Sequence, residues 1–494
     1  MERHLCAGGY EQSTVWIVAR TLDIPVQKIR VIKPRIGGGF GCKQEMLLED
    51  VVAMVTLRTG LPALWALTRE EVFRSGRTRH PMRIRIRYGL KKSGDISALG
   101  LDLINNTGAY GGHGLTVMSC AGSKVIPLYH VDNIHFDAIS IYTNLPVGGA
   151  YRGFGATQTY FAVESMIDVL AEKAGIDPLE FRKRNHIVSG ESHPAFEALG
   201  EGKPGFPMSI GSCSLDECID RGAKEIGWER RTPHTAKTGR YRRGIGMSIH
   251  MQGSSVPEID MGAAFIKMND DGSFNLLVGA TDIGTGSDTI LAQIAAEELA
   301  TTTDKFIVNS SDSAYASSTT YLSGEAVRKT AAKVKEQIVR VGAEMLNKKI
   351  EEVDVCDAHV VALDGSGKVS YSDIALRSLY ESNQFQIAAV ESHITHKSPP
   401  PFTAHFVEIE VDMETGKIKV LKYVAAVDCG TAINPQLCEG QTEGAVLNGI
   451  SYALTEEYRF DKTGRMSNAS LVTYNIFSMR DKPVLKTILV PSYE

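Results

Sequence analysis

The 494-residue chain has no run of about 18 uncharged apolar residues, so it offers no candidate for a helix that crosses a membrane. It opens on Met1-Glu-Arg-His, without the apolar segment of a signal peptide. Its eight cysteines, at 6, 42, 120, 213, 218, 356, 429 and 438, include no Cys-x-x-Cys pair, which excludes a zinc knuckle or a ferredoxin-type cluster. Thiols scattered in this way fit a reducing compartment, and the expectation is a cytoplasmic protein. Positive charge is not in excess either: a formal net charge of -5 lacks the basic footprint of a nucleic-acid binder. The local run Arg83, Arg85, Arg87 alternates with Met82, Ile84 and Ile86, the period of a half-exposed strand. His393 and His396 have no further ligands in view and read as a surface or core pair.

What the chain does have is glycine, 47 residues, clustered in turns between regular segments. Lys28–Arg35 reads as a strand, followed by Ile36-Gly-Gly-Gly-Phe-Gly-Cys-Lys43 and a helix over Glu45–Thr59, with Leu47, Val51, Met54 and Val55 on one face. Strands over Arg83–Tyr88 and Ile96–Leu103 flank the turn Lys92–Asp95. A second glycine turn, Gly148–Gly155, leads into a helix over Thr157–Ala174 whose apolar face is Phe161, Val163, Ile167, Leu170 and Ala174. Asp177-Pro178-Leu-Glu180 has the cap, proline and carboxylate of a helix start. Ser214-Leu-Asp-Glu217 has capping-box spacing. Strands over Ala263–Met268 and Ser273–Val278 flank a hairpin turn. The loop Gly279–Asp288 and a helix over Thr289–Ala300 follow, then a long amphipathic helix over Glu325–Lys349. Strands over Phe406–Val411 and Lys417–Val427 precede a helix over Gln436–Glu457, which carries Gly440, Gly444 and Gly449 on one side. The pattern is that of an α+β, or mixed α/β, chain. Its length calls for two or more domains. The Gly- and Pro-rich stretch 190–207 is the expected linker between a first domain at 1–189 and a second at 208–494.

Repeated strand, glycine turn, helix corners suit anion binding, because glycine lets backbone N–H groups approach a ligand and a helix N-terminus favours negative charge. The familiar nucleotide patterns fail, however. In Gly37-Gly-Gly-Phe-Gly-Cys-Lys43 the lysine falls one residue late for a P-loop and Gln44 follows it, and no glycine completes the dinucleotide spacing.

Arg35-Ile-Gly-Gly-Gly-Phe-Gly-Cys-Lys-Gln44 instead resembles the first molybdopterin loop of the xanthine dehydrogenase and aldehyde oxidoreductase family. Gly149-Ala-Tyr-Arg-Gly-Phe-Gly-Ala-Thr-Gln158 resembles the second loop, and Gly175–Asn185 the helix after it. Asp282–Thr289 resembles the third, Ala314–Gly324 the fourth, and Asp428–Pro435 with Glu439–Gly444 the fifth. Five loops occur in the family order over nearly the whole chain.

The resemblance implies two consecutive molybdopterin-binding domains whose glycine loops converge on the cofactor at their interface, the first incomplete at its N-terminus and the second at its C-terminus. It implies a molybdenum hydroxylase subunit that puts water-derived oxygen on a nitrogen heterocycle or aldehyde. The cofactor would be molybdopterin with molybdenum, in bacteria often the cytosine dinucleotide form, and electrons would leave to Fe-S and FAD partner subunits. No residue would bind the metal directly; Phe40, Arg152 and Ala316 would lie nearest, with Phe40 and Arg152 taking the catalytic roles. Gly39, Phe40, Gly41 and Arg152, then Gly284, Thr285 and Gly286, then Ala316, Ser317, Ser318 and Thr319, and lastly Asn448, would line the cofactor. Gln44, Cys120 and Phe154 would meet the substrate, Phe154 by stacking on a flat ring, and the loop Gln252–Glu258 is a further place to look.

Some positions depart from the family. Gln44 and Cys120 stand where purine-oxidising members carry Glu and Arg, which argues against xanthine itself. Tyr151-Arg-Gly153 lacks the cysteine of copper-containing carbon monoxide dehydrogenases, which argues against molybdenum–copper chemistry. The segment Met1–Gln12 does not follow the family, and a Gln is absent near Gly9. The family's general-base Glu belongs to a segment after Val484–Pro491 that the sequence does not contain. Glu45, Glu443 and Glu494 read as ordinary helix or surface carboxylates. The resemblance thus implies a base on a second molybdopterin subunit or a missing segment. The alternative is a scaffold or binding subunit that has lost the chemistry.

Overall fold

The computed structural model describes residues 2–5, 11–200, 204–231, 239–311, 317–381 and 383–493. Cys6, Gly9, Ala316 and Glu494 lie outside the described residues. The chain is mixed α/β and forms two compact units, neither continuous in sequence. One comprises Met1–Gly39, Lys43–Leu64 and Ser254–Ser398; the other comprises Phe40–Cys42, Trp65–Gly253 and Pro399–Glu494. Compactness therefore groups the chain differently from consecutive segments at 1–189 and 208–494. The stretch 190–207 lies within the second unit, where it forms the helix Pro194–Ala198 and a bridge from Ser192 to Ser209.

The first unit is built on a four-stranded sheet in the order Ala388–Ile394, Met261–Met268, Phe274–Val278, Phe306–Ser310. The expected hairpin forms: the Asn269 N–H donates to the Ser273 carbonyl at 2.7 Å and Gly272 takes φ 81°. Helices Ser287–Glu298 and Gly324–Leu346 bury Leu291, Ala295, Val327, Val334 and Ile338 with Ile266, Phe274 and Leu276 of the sheet. The helix expected from Glu45 begins at Glu49, whose carboxylate accepts the N–H groups of Leu47 and Leu48. Its expected apolar face is corrected. Met54 and Val55 are exposed, and the buried position is Ala53, packed with Val18 and Ala19 of the helix Glu11–Leu22. The small side chain allows the two helices to approach, and the larger ones turn outward.

The second unit has a three-stranded sheet, Met82–Leu90, Ile96–Gly108 and Asn133–Tyr142, and a four-stranded one in the order Val484–Val490, Ile418–Asp428, Phe402–Asp412, Tyr241–Met251. Arg83, Arg85 and Arg87 are exposed, as the alternation implied. One large core joins helices Ala156–Ala174, Pro178–Asn185 and Leu215–Ile226 to the four-stranded sheet through Val163, Ile167, Phe181, Ile219, Phe402 and Phe406.

On the helix Ala156–Ala174 the expected Val163, Ile167 and Leu170 are buried, but Phe161 is 78% exposed, and Tyr160 and Glu164 complete the buried stripe. Glu164 belongs to the buried stripe because Arg182, itself fully buried, donates to it at 2.8 Å. Tyr129 and the Ile249 N–H fill its remaining acceptor sites. A carboxylate in a core stripe is invisible to a hydrophobic pattern, and breaking such a pair costs about 3–5 kcal/mol. The capping box at Ser214 does not form. Its N–H donates to Asp428 Oδ2 at 2.7 Å and its hydroxyl to the Pro491 carbonyl, so Ser214 ties two strand ends together instead. Among the described residues no helix is long and apolar enough to cross a membrane.

Candidate cofactor site

The first loop is shared out between the units: its tip, Phe40–Cys42, belongs to the second. There Phe40 has φ 54° and Gly41 φ 97°. A Cβ on Gly41 would come within 2.9 Å of the Ala150 carbonyl, so only glycine permits the approach to the second loop. The Arg152 N–H donates to the Phe40 carbonyl at 2.9 Å across that approach. In the second loop Gly153, Phe154 and Gly155 all have positive φ, and a Cβ on Gly155 would lie 2.3 Å from the Val117 carbonyl.

These turns set the Arg152 side chain. Its guanidinium lies 5.6 Å from the centre of the Phe40 ring and donates to the Gln441 carbonyl at 2.9 Å. The helix Pro435–Leu454 presents Gly444 here, where a Cβ would stand 4.0 Å from an Arg152 Nη. Burial pushes the Arg152 pKa down, and nearby Arg79 adds to the effect against the opposing pull of Tyr151.

Arg79 was not singled out from the sequence. It donates to the Arg152 carbonyl at 2.7 Å and to the Thr157 hydroxyl at 2.5 Å, with its guanidinium 4.7 Å from the Tyr151 ring centre and 5.1 Å from that of Tyr452. Burial also lowers its pKa, opposed by the same tyrosines. Nothing local marks Arg79; it lies ahead of the alternating run Arg83, Arg85, Arg87. Among the described residues no carboxylate pairs with Arg79 or Arg152.

The structure therefore brings Phe40, Gly41 and Arg152 together. Asn448 joins them through its amide, which donates to the Tyr151 hydroxyl at 3.4 Å. Phe154 is turned towards His113, edge to face at 5.5 Å. Cys120 lies in the helix Gly114–Ser123 and is only 3% exposed.

The first unit holds the rest of the first loop and the third and fourth loops. The Gly38 N–H donates to the Ile283 carbonyl at 2.9 Å, and a Cβ on Gly39 would meet the Ile283 side chain at 3.3 Å. The third loop wraps its own carboxylate. Asp282 Oδ1 accepts the N–H groups of Gly284, Thr285 and Gly286 at 2.7, 3.1 and 3.3 Å, and Oδ2 accepts that of Asp288. Lys33 donates to the Asp282 carbonyl at 2.9 Å. Burial raises the Asp288 pKa, with Asp282 adding to the rise against Ser310, Lys33 and Arg35. In the fourth loop Ser317 has φ 55°, Ser318 is buried, and Thr319–Ser323 forms a wide turn into the helix Gly324–Leu346. Gln44 is half-buried in this unit. Glu443 pairs with Lys482 at 2.7 Å, as an ordinary surface carboxylate would. His393 and His396 contact Lys329 and Glu258 respectively, and among the described residues no group of three or more potential ligands is placed to hold a metal ion.

Two desolvated guanidinium groups without a carboxylate fit an anionic group such as a pterin phosphate or an oxidised metal centre. Comparison with known proteins agrees. The molybdopterin cofactor-binding domain matches twice, over residues 10–186 and 221–483. The chain is 38% identical to the probable hypoxanthine oxidase XdhD of Escherichia coli (strain K12), covering 96% of this chain and 50% of that one. It is 35% identical to the putative xanthine dehydrogenase molybdenum-binding subunit XdhA of the same strain, covering 96% and 64%. Quinoline 2-oxidoreductase from Pseudomonas putida 86 shares the fold, with a TM-score of 0.88 at 22% identity over 99% of this chain and 65% of that one. The chain thus spans between half and two thirds of the length of these relatives. With both matched domains in sequence order, it belongs to the molybdopterin-binding family of xanthine dehydrogenase and aldehyde oxidoreductase type.

Proposed function

We propose that the chain is the cofactor-binding part of a cytoplasmic molybdenum hydroxylase acting on a nitrogen heterocycle or an aldehyde. The observation that carries this reading is the Arg152 guanidinium, desolvated, uncompensated by a carboxylate and fixed by the first-loop tip. When bound, molybdopterin, possibly as its cytosine dinucleotide, supplies a two-electron oxidation that adds water-derived oxygen to carbon. In the second unit the Phe40 and Gly41 N–H groups and Arg152 would face the anionic side of the centre, and Asn448 would lie along the pterin. In the first, Gly39, Gly284–Gly286 and Ser317–Thr319 would contact the cofactor, with Ala316 beside them. Phe154 offers a ring for a flat substrate, Gln44 a neutral hydrogen-bonding amide, and Cys120 would mark the pocket wall.

Relatives named for hypoxanthine and nicotine support a heterocycle, and one named for aldehyde oxidation supports an aldehyde. Fe-S and FAD subunits would take the electrons, and the general-base Glu would come from a second molybdopterin subunit or a further segment of the protein. One observation favours the second reading, a non-catalytic subunit: Asp282 already occupies the N–H groups of the third loop.

The test is elemental analysis of the natively purified complex. About one molybdenum per chain is expected. Absence of molybdenum from a complex whose iron is intact would leave the scaffold reading in place.

A further inference from the structure

The segment Thr78–His80 meets the second glycine loop and the start of its helix at every residue. The Thr78 carbonyl accepts the Gly149 N–H at 2.9 Å, and the His80 carbonyl accepts the Gln158 side-chain amide at 2.9 Å. The His80 ring lies against Gly148, where a Cβ would come within 2.5 Å of Cδ2. These contacts pin the two ends of the loop, and Arg79 holds its middle. One guanidinium nitrogen donates to the Arg152 carbonyl at 2.7 Å and the other to the Thr157 hydroxyl at 2.5 Å, with the group over the Tyr151 ring. The Arg152 N–H donates to the Phe40 carbonyl at 2.9 Å, so both main-chain polar groups of Arg152 are engaged. Its guanidinium is thus aimed from backbone that is fixed on each side, and the Gln441 carbonyl receives its tip.

We propose that Arg79 is a positioning residue of the cofactor site, which acts through the backbone of Arg152 by fixing the direction in which that guanidinium points. The inference rests on the reading of Arg152 as the group that faces the anionic side of the centre. A planar guanidinium reaches two oxygens at once and lays its face on a ring, whereas a lysine ammonium is a single flexible point charge. Arg79→Lys therefore keeps the charge and loses the fork. Misplacing a reacting or stabilising group by about 1 Å is enough to cost up to about 100-fold in rate.

The test is a double-variant cycle in the natively purified complex, with hydrogen exchange as a second readout. Arg79→Lys should lower kcat about 10-fold with KM and molybdenum content unchanged, because Arg79 reaches the reaction only through Arg152. Adding Arg79→Lys to Arg152→Met should make the enzyme no slower than Arg152→Met alone, since the group through which Arg79 acts is gone. A merely structural role would instead multiply the two losses. That result overturns the proposal, as does an Arg79→Lys enzyme with full kcat. Hydrogen exchange is read on the purified full chain whatever its molybdenum content. Arg79→Lys should speed exchange about 10-fold in residues 148–155 and leave the strand Ile96–Gly108 unchanged. Unchanged exchange in the loop, or an equal rise in both segments, overturns the positioning role. A wild-type complex without molybdenum sinks the hydroxylase reading, and the exchange measurement then decides the positioning role by itself.

Discussion

The glycine loops at 279–288 and 148–155 both turn through positive φ, at Gly284 and Gly286 in one and at Gly153 and Gly155 in the other. What fills them differs. The first closes on its own Asp282 carboxylate, so its N–H donors are satisfied within the loop. The second closes on Arg79 and Arg152, two cations that meet aromatic rings and carbonyls and, among the described residues, no carboxylate. Desolvating a charge costs free energy unless an opposite charge or several hydrogen bonds offset it. A loop that satisfies its own donors is explained by folding alone; one that holds partly buried cations without a carboxylate is built for something that arrives later. Glycine content treats the two alike, and charge balance separates them.

The comparison can be broken at its strongest point first. Arg152→Met in the natively purified complex should lower turnover about 100-fold with molybdenum retained, the size of effect seen when a preorganised charge partner is removed. Unchanged turnover in the loaded variant would remove Arg152 from the chemistry. Next comes the backbone. Gly155→Ala would set a Cβ 2.3 Å from the Val117 carbonyl at φ 94°, whereas a Cβ on Gly284, at φ 99°, has its nearest neighbour at 3.4 Å. Urea unfolding should show a loss of about 3 kcal/mol or more for Gly155→Ala and about 1–2 kcal/mol for Gly284→Ala. Equal losses would mean that strain in φ, common to both, outweighs the close approach.

Asp282→Asn keeps the shape of the third loop and removes the charge that gathers three N–H groups, so stability should fall by about 1–2 kcal/mol. No loss would sink the idea that this loop is internally balanced. A further effect is a pH dependence in the second unit. His250 and His405 lie 5.2 Å apart, flanked by Tyr160 and Tyr423. Burial lowers His250 to about 4, helped by Arg182, and His405 to about 3, helped by His250. Each imidazole is thus neutral when folded and titrates near 6.5 when unfolded. The unfolded chain takes up the extra protons, so stability is intact above pH 6.5 and falls as the pH drops from there toward 4. About 1–2 kcal/mol per ring should be lost by pH 5. The His250→Gln, His405→Gln double variant should flatten that slope in thermal melts; an unchanged slope would place the titrating groups elsewhere.

Much of this was legible in local pattern. Period-2 alternation located Met82–Leu90, the hairpin turn located Met261–Met268, and the Asp177-Pro178 cap started its helix as expected. The order of five glycine loops pointed to the family, because loop chemistry is written in contiguous residues. Errors arose where a distant partner changed the meaning of a residue. Glu164 takes a place in the core stripe because Arg182 pairs with it, while Phe161 faces outward. Ser214 gave up its cap to reach Asp428 and Pro491.

The sequence by itself determined where the chain turns, which segments are helical or extended, and which cofactor family it serves, since those depend on backbone preferences and short motifs. Only the tertiary structure decided that Asp282 satisfies its own loop and that Arg79, lying over two tyrosine rings, donates to the Arg152 carbonyl. A charge acquires its role from neighbours that folding brings close, and the separation of 73 residues between Arg79 and Arg152 carries no local signal of that contact.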